Sequence, residues 1–253
     1  MSLSYLLLPK PSIVAALLER RRLRASFRDI HRKYRNYSIV HEAAYVDNLE
    51  LCAKFRARPG CVVECGVWRG GMSAGMAEVL GPDRQYFLFD SFEGLPRARE
   101  DVDGSWVVAW QKDTTSPAYT YYNNCVAAQE EAAAAMKLSG ATSFSLVKGW
   151  FNETLPRFAP PCEIAILRLD GDLYDSTRVC LENLYPHVAP GGIVIVDDYH
   201  GWNGCAQAVH EYLAGIGTPN AVPRIREFHD KVTYLVKPDT APSATNGLPR
   251  QSP

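Results

Sequence analysis

Short unbroken apolar runs alternate along this chain with longer stretches of helical periodicity. The runs at 61–66, 85–90, 143–147, 164–170 and 191–198 are too short for helices and read as strands buried on both faces. Between and around them, apolar positions recur at three- and four-residue spacing over 38–55, 72–80, 119–136, 175–185 and 204–213. Strand and helix in alternation predict a mostly parallel sheet with helices on both faces. Two final runs, 224–228 and 232–236, are separated only by His229, Asp230 and Lys231. A connection that short requires antiparallel pairing, so a seven-stranded, mainly parallel sheet ends in a reversed hairpin.

Three segments break this rhythm. A helical pattern starting at Ser12 runs into the basic stretch 19–35 and forms an N-terminal helical arm over 1–37, ahead of a main domain over 38–237. Its arginines admit a phosphate or nucleic-acid contact, or a solvated face and subunit contact. No RNA-binding motif is interleaved with them, and the arm's apolar stripe has no place on a covered sheet, which predicts a homo-oligomer. The segment 97–117 is polar and poorly periodic, yet holds Trp106 and Trp110. A connection of that length reads as a lid or as disorder, and the two tryptophans favour a lid that buries something. From 238 to 253 the chain is mostly Pro, Ser, Thr, Asn and Ala, and is expected to be disordered.

Composition narrows the possible partners. With 253 residues and a formal net charge of -1, the chain buries a full core and offers no general field for nucleic acid or membrane. No run approaches the roughly 20 apolar residues of a membrane span. Pro9 and Pro11 interrupt the initial apolar cluster, which has no basic leader. The seven cysteines show no metal-ligand spacing and read as reduced thiols of a cytoplasmic protein.

The candidate chemistry lies where the apolar runs stop. The run at 164–169 ends in Asp170, Asp172 and Asp175, and that at 193–196 ends in Asp197 and Asp198. If the two strands are neighbours, the acids converge on the C-terminal rim, where open α/β sheets bind ligands. Carboxylates held that close repel unless a cation sits among them, and hard oxygen donors suit Mg²⁺ or Mn²⁺. Asp175 also reads as the cap of the following helix. The turn after the first strand carries Gly66, Gly70 and Gly71 and opens a helix, so backbone N–H groups face any ligand there. Its acid, Glu64, suits an ammonium group. Asp90 ends the second strand, where a carboxylate accepts from two ribose hydroxyls. Trp150 and Phe151 either flank a flat ring or fill the core.

Five motifs carry a resemblance beyond this layout. Val63-Glu-Cys-Gly-Val-Trp-Arg-Gly-Gly71, Asp90-Ser-Phe-Glu-Gly-Leu-Pro96, Gly149-Trp-Phe-Asn-Glu-Thr-Leu-Pro156, Asp170-Gly-Asp-Leu-Tyr-Asp-Ser-Thr177 and Val196-Asp-Asp-Tyr199 occur in this order. Together they closely resemble the macrocin O-methyltransferase family, over residues 38–236. The resemblance implies the S-adenosylmethionine-dependent methyltransferase (Rossmann-like) fold and a Mg²⁺-dependent O-methyltransferase acting on a sugar or glycosylated natural product. It further implies that Glu64, Gly66, Trp68, Arg69 and Gly70 hold the methionine end of the cofactor and Asp90 its ribose. Ser91, Gly149, Trp150 and Phe151 would lie about the adenine. Asp170 would both contact the cofactor and join Asp197 and Asp198 as a metal ligand, leaving Asp172 as the general base. The Asp170–Asp172 pair also looks like that of haloacid dehalogenase-type phosphatases, although those place it on the first strand. A basic-arm binding module is the non-enzymatic alternative.

Overall fold

Seven strands form one sheet in the order β3-β2-β1-β4-β5-β7-β6. They are β1 (Cys61–Cys65), β2 (Tyr86–Asp90), β3 (Phe144–Lys148), β4 (Ile164–Leu169), β5 (Val188–Val196), β6 (Ile225–Phe228) and β7 (Val232–Val236). The first five pair in parallel, and β7 runs antiparallel to both β5 and β6. The computed structural model describes residues 13–217, 221–229 and 232–239. The initial apolar cluster, Asp230 and Lys231 of the tight turn, and the predicted disordered tail from 240 onward lie outside these residues.

The helices are α1 (Ile13–Tyr34), α2 (Glu42–Lys54), α3 (Gly71–Leu80), α4 (Glu100–Asp103), α5 (Ser105–Lys112), α6 (Pro117–Tyr122), α7 (Gln129–Leu138), α8 (Phe151–Thr154), α9 (Tyr174–Leu184) and α10 (Asn203–Ala214). Because strand side chains alternate between faces, the apolar runs feed two cores. Val62, Ile166 and Ile195 join residues of α1, α2, α3 and α7 on one face. Val63, Leu167 and Val194 join those of α9 and α10 on the other.

The basic arm folds back on the domain. Arg24 reaches Asp47 at 2.7 Å, Arg20 reaches Glu50 at 3.0 Å, and Lys33 reaches Glu78 at 2.5 Å. These cations therefore serve intramolecular pairing, whereas Val14, Leu17 and Leu18 on the same helix are more than half exposed.

Several elements depart from their expected bounds. The second helix starts at Glu42 rather than Ser38, because the Ser38 hydroxyl accepts the Val40 N–H in a preceding turn. The helix expected over 119–136 is two helices, α6 and α7. Between them Asn123, Asn124 and Cys125 all take positive φ, at 47°, 50° and 61°. Asparagine tolerates that region better than most residues. Asn124 is also tied to Leu95: its side chain donates to the Leu95 carbonyl at 3.0 Å and its carbonyl accepts the Leu95 N–H at 2.9 Å.

The expected lid over 97–117 is packed helical structure. Val107 is fully buried with Ala98 and Leu173, and Trp106 stacks on Trp202 at 5.1 Å between ring centroids. Asp103 explains the order. Its Oδ2 accepts the Arg99 N–H and its Oδ1 accepts the Tyr174 N–H, both at 2.8 Å, so one buried carboxylate caps α4 and α9. Asp175 is thus not the cap of α9; it pairs with Arg99 at 3.0 Å. Asp103→Ala removes both caps and should cost about 1–2 kcal/mol, the upper range for a lost cap. Thermal unfolding measures this, and an unchanged midpoint would show that water replaces both bonds.

Candidate functional site at the strand ends

The sheet ladder fixes where the rim acids stand. Cys65 is level with Phe89 on one side and Leu169 on the other, and Leu169 is level with Val196. Each parallel ladder continues one bond past the strand. The Gly66 N–H donates to the Phe89 carbonyl (2.9 Å), Asp170 to Cys65 (2.8 Å) and Asp197 to Leu169 (2.9 Å). Gly66, Asp90, Asp170 and Asp197 therefore share one edge, at the point where strand order reverses between β1 and β4.

Strand alternation carries Arg168, Asp170 and Asp197 to the face that Glu64 occupies. Arg168 is fully buried there. Its Nη1 donates to Glu64 Oε1 at 2.7 Å and Asp170 Oδ2 at 2.6 Å, and Nη2 stands 2.6 Å from Asp197 Oδ1. Burial alone would lower the arginine's pKa, but Asp170, Asp197 and Glu64 hold it firmly protonated. One guanidinium does not balance this many acids. Burial pushes Glu64 up to about 7 against the opposing pull of Arg168 and the Ser73 hydroxyl. Asp170 rises to about 6, through burial opposed by Arg168 and reinforced by Asp197. Asp172 and Asp198 are raised well above the ordinary carboxylate range by burial and by the neighbouring acids.

Asp170, Asp197 and Asp198 each present an oxygen, the three lying within 4.8 Å of one another. An all-carboxylate set with excess negative charge fits a hard divalent cation. Asp172 stands outside that set. Its backbone is at φ 58° and its N–H donates to Asp198 Oδ2 at 2.9 Å. The positive φ falls on Asp172 itself and not on Gly171, where freedom was expected. Gly171 serves close packing instead, since a Cβ there would stand 3.0 Å from Ser176 Cβ.

The glycine turn forms the neighbouring wall. Asp90 Oδ2 accepts the Val67 and Trp68 N–H groups at 2.7 and 2.8 Å, while Oδ1 accepts that of Phe92 at 2.7 Å. This bracing holds Trp68 at φ 48° with its indole Nε1 buried and unpartnered. A buried donor without an acceptor on a cleft wall suits a polar ligand. The walls enclose a cleft of about 880 Å³ lined by Gly66, Trp68, Asp90, Ser91, Gly149, Trp150, Phe151 and the acids 170, 172, 197 and 198.

Residues 20–228 match the family described as Macrocin-O-methyltransferase (TylF). The chain belongs to the macrocin O-methyltransferase family. It is 36% identical over 189 residues to the 8-demethyl-8-(2,3-dimethoxy-alpha-L-rhamnosyl)-tetracenomycin-C 4'-O-methyltransferase of Streptomyces olivaceus, covering 71% of this chain and 69% of that one. It is 39% identical over 164 residues to the demethyldecarbamoylnovobiocin O-methyltransferase of Streptomyces niveus, covering 62% and 59%. The solved O-methyltransferase NovP superposes with a TM-score of 0.62 at 31% identity, over 76% of this chain and 80% of that one. The mostly parallel seven-stranded sheet with its reversed terminal strand is the S-adenosylmethionine-dependent methyltransferase fold that the resemblance implied. The enzyme is therefore an O-methyltransferase, and neither the phosphatase nor the basic-arm alternative describes it.

Within the macrocin O-methyltransferase framework, Glu64, Arg69 and Gly70 are not among the residues that line the cleft. Glu64 lies behind the cleft wall, its carboxylate engaged by Arg168 and Ser73. Arg69 stacks over the Trp68 ring at 4.4 Å and pairs with Glu131 at 3.3 Å. Gly70 precedes α3 at φ 81° against Ala132 of α7. Asp90 does line the cleft, but three backbone N–H groups already occupy most of its accepting capacity. Ser91 spends its hydroxyl on the Gly94 carbonyl at 2.8 Å. Arg168 and Asp103 were missed in the sequence. A lone arginine inside the apolar run 164–169 was the available signal for the first.

Proposed function

We propose that this enzyme transfers a methyl group from S-adenosylmethionine to a sugar hydroxyl of a glycosylated natural product, with a divalent cation held by Asp170, Asp197 and Asp198. The observation that carries the reading is the convergence of those three carboxylates on a cleft whose neighbouring wall is the Trp68 turn. The rhamnosyl acceptor in the name of one relative supports the sugar. When bound, S-adenosylmethionine supplies an electrophilic methyl on a sulfonium, and the cation lowers the pKa of the acceptor hydroxyl.

The chain's own groups divide the remaining work. The Trp68 indole and the Gly66 turn receive polar atoms of the cofactor, with Trp150 and Phe151 beside its ring. Asp172, outside the cation's set, accepts the hydroxyl proton. The exposed stripe of Val14, Leu17 and Leu18 supports a second copy as its cover, and no described helix is long and apolar enough to cross a membrane.

Calorimetric titration with S-adenosylmethionine, followed by methyl transfer to rhamnosyl and deoxysugar glycosides, tests the assignment. Excess EDTA should abolish turnover, and added Mg²⁺ or Mn²⁺ should restore it. Full turnover by metal-stripped protein in chelator would overturn the cation's part.

A further inference from the structure

Arg168 has no place in the chemistry just described, yet it is the largest fully buried side chain of the sheet rim. The geometry points to Arg168 as a positioning residue that sets the Asp170 and Asp197 carboxylates for a divalent cation. This inference rests on the proposal that the rim holds such a cation.

The fork of the guanidinium is suited to the task. Nη1 takes one oxygen of Asp170 and Nη2 stands against one oxygen of Asp197, at 2.6 Å each. Both carboxylates are thereby held against one guanidinium, Asp170 by a hydrogen bond and Asp197 by an ion pair. Both aspartates keep partly exposed side chains, 27% and 22%, although the arginine joining them is sealed from solvent. A planar fork holds two carboxylates in a fixed relation, which an ammonium at the end of a flexible stem does not.

Arg168 also ties this rim to the cofactor wall. Its Nη1 holds Glu64 on β1, and Glu64 accepts from Ser73 on α3, the helix that opens after the Trp68 turn. Metal ligands on β4 and β5 are thus oriented by a group anchored beneath the glycine turn. Partners behind a ligand that fix its orientation commonly contribute 10–100-fold to metal affinity.

Two opposing effects make the test decisive. Removing a cation strengthens the field felt by a divalent ion, whereas releasing the carboxylates weakens their geometry. Positioning predicts that geometry wins.

The experiment is Mn²⁺ titration of the cofactor-free protein followed by electron paramagnetic resonance. Wild type is compared with R168K, R168M and the double variant E64Q/R168M. In the double variant no ionised Glu64 is left buried without a partner, so folding is separated from positioning. The expected result is a roughly 10–100-fold rise in the Mn²⁺ dissociation constant for R168M and E64Q/R168M. R168K should recover only part of it. At saturating Mn²⁺ the double variant should regain most of its kcat.

Unchanged or tighter Mn²⁺ binding by a folded E64Q/R168M protein would overturn the inference and leave Arg168 a purely structural ion-pair partner. Absence of Mn²⁺ binding by wild type would instead remove the cation reading on which the inference stands.

Discussion

Asp172→Asn should lower kcat by roughly 10²–10⁴, the usual range for a lost general base, while S-adenosylmethionine and Mn²⁺ affinities stay within about threefold, roughly 0.65 kcal/mol. Asparagine is the informative replacement because position 172 holds φ 58°. Asparagine adopts that conformation readily, so the backbone and the N–H donated to Asp198 are retained while the charge is lost. The three oxygens that converge within 4.8 Å belong to Asp170, Asp197 and Asp198, which is why the cation should not notice the change. Asp198→Asn is the control. It should weaken Mn²⁺ binding, and raised Mg²⁺ should recover part of its activity. Were Asp172→Asn the variant rescued by metal, base and ligand would have to exchange places.

Gly66→Ala should destabilise the fold by about 3–4 kcal/mol, among the larger values for a single substitution. Gly66 sits at φ 90°, and a Cβ built there would lie 1.7 Å from the Asp170 carbonyl oxygen. That oxygen belongs to the backbone between β4 and the acid turn, so relief requires prising β1 from β4 at the rim. Both the strain of positive φ on alanine and the lost rim bond from Asp170 to Cys65 contribute. At 2–4 °C per kcal/mol for a domain of this size, the unfolding midpoint should fall by roughly 6–16 °C. Scanning calorimetry measures it. A fall of under about 2 °C would show that the rim relaxes cheaply.

Both predictions rest on features of unequal visibility in the sequence. The acids at 170, 172, 197 and 198 were legible because each interrupts or terminates an apolar run, and a buried strand excludes such groups from its middle. That same rule hid Arg168. An ion inside a buried strand is excluded only when unpaired, and two of its three partners, Glu64 on β1 and Asp197 just past β5, lie far away along the chain. The pairing of Glu64 was hidden for the complementary reason: a carboxylate beside a glycine turn looks free until the arginine facing it is known.

The helix bounds between 97 and 138 were hidden by similar ignorance of partners. Alanine-rich periodicity reported helix propensity faithfully over α7, but nothing local announced the three positive-φ residues before it. Those are fixed by bonds between Asn124 and Leu95. The segment expected as a lid lacked periodicity because α4 and α5 are short, and its order depends on Asp103 reaching Tyr174, 71 positions away.

The sequence by itself determined the strand and helix alternation, the reversed terminal pair, the family and the identity of the rim acids. These follow from local periodicity and from residue types at run ends, which do not depend on what lies opposite. The tertiary structure alone decided which acids stand together, which are neutralised by Arg168, and which of the glycine-turn residues face the cleft. Each of those depends on strand register and on pairings between distant segments. A one-residue slip between β1 and β4 would turn Glu64 and Arg168 to opposite faces and dissolve the rim, although every local pattern in the chain would be unchanged.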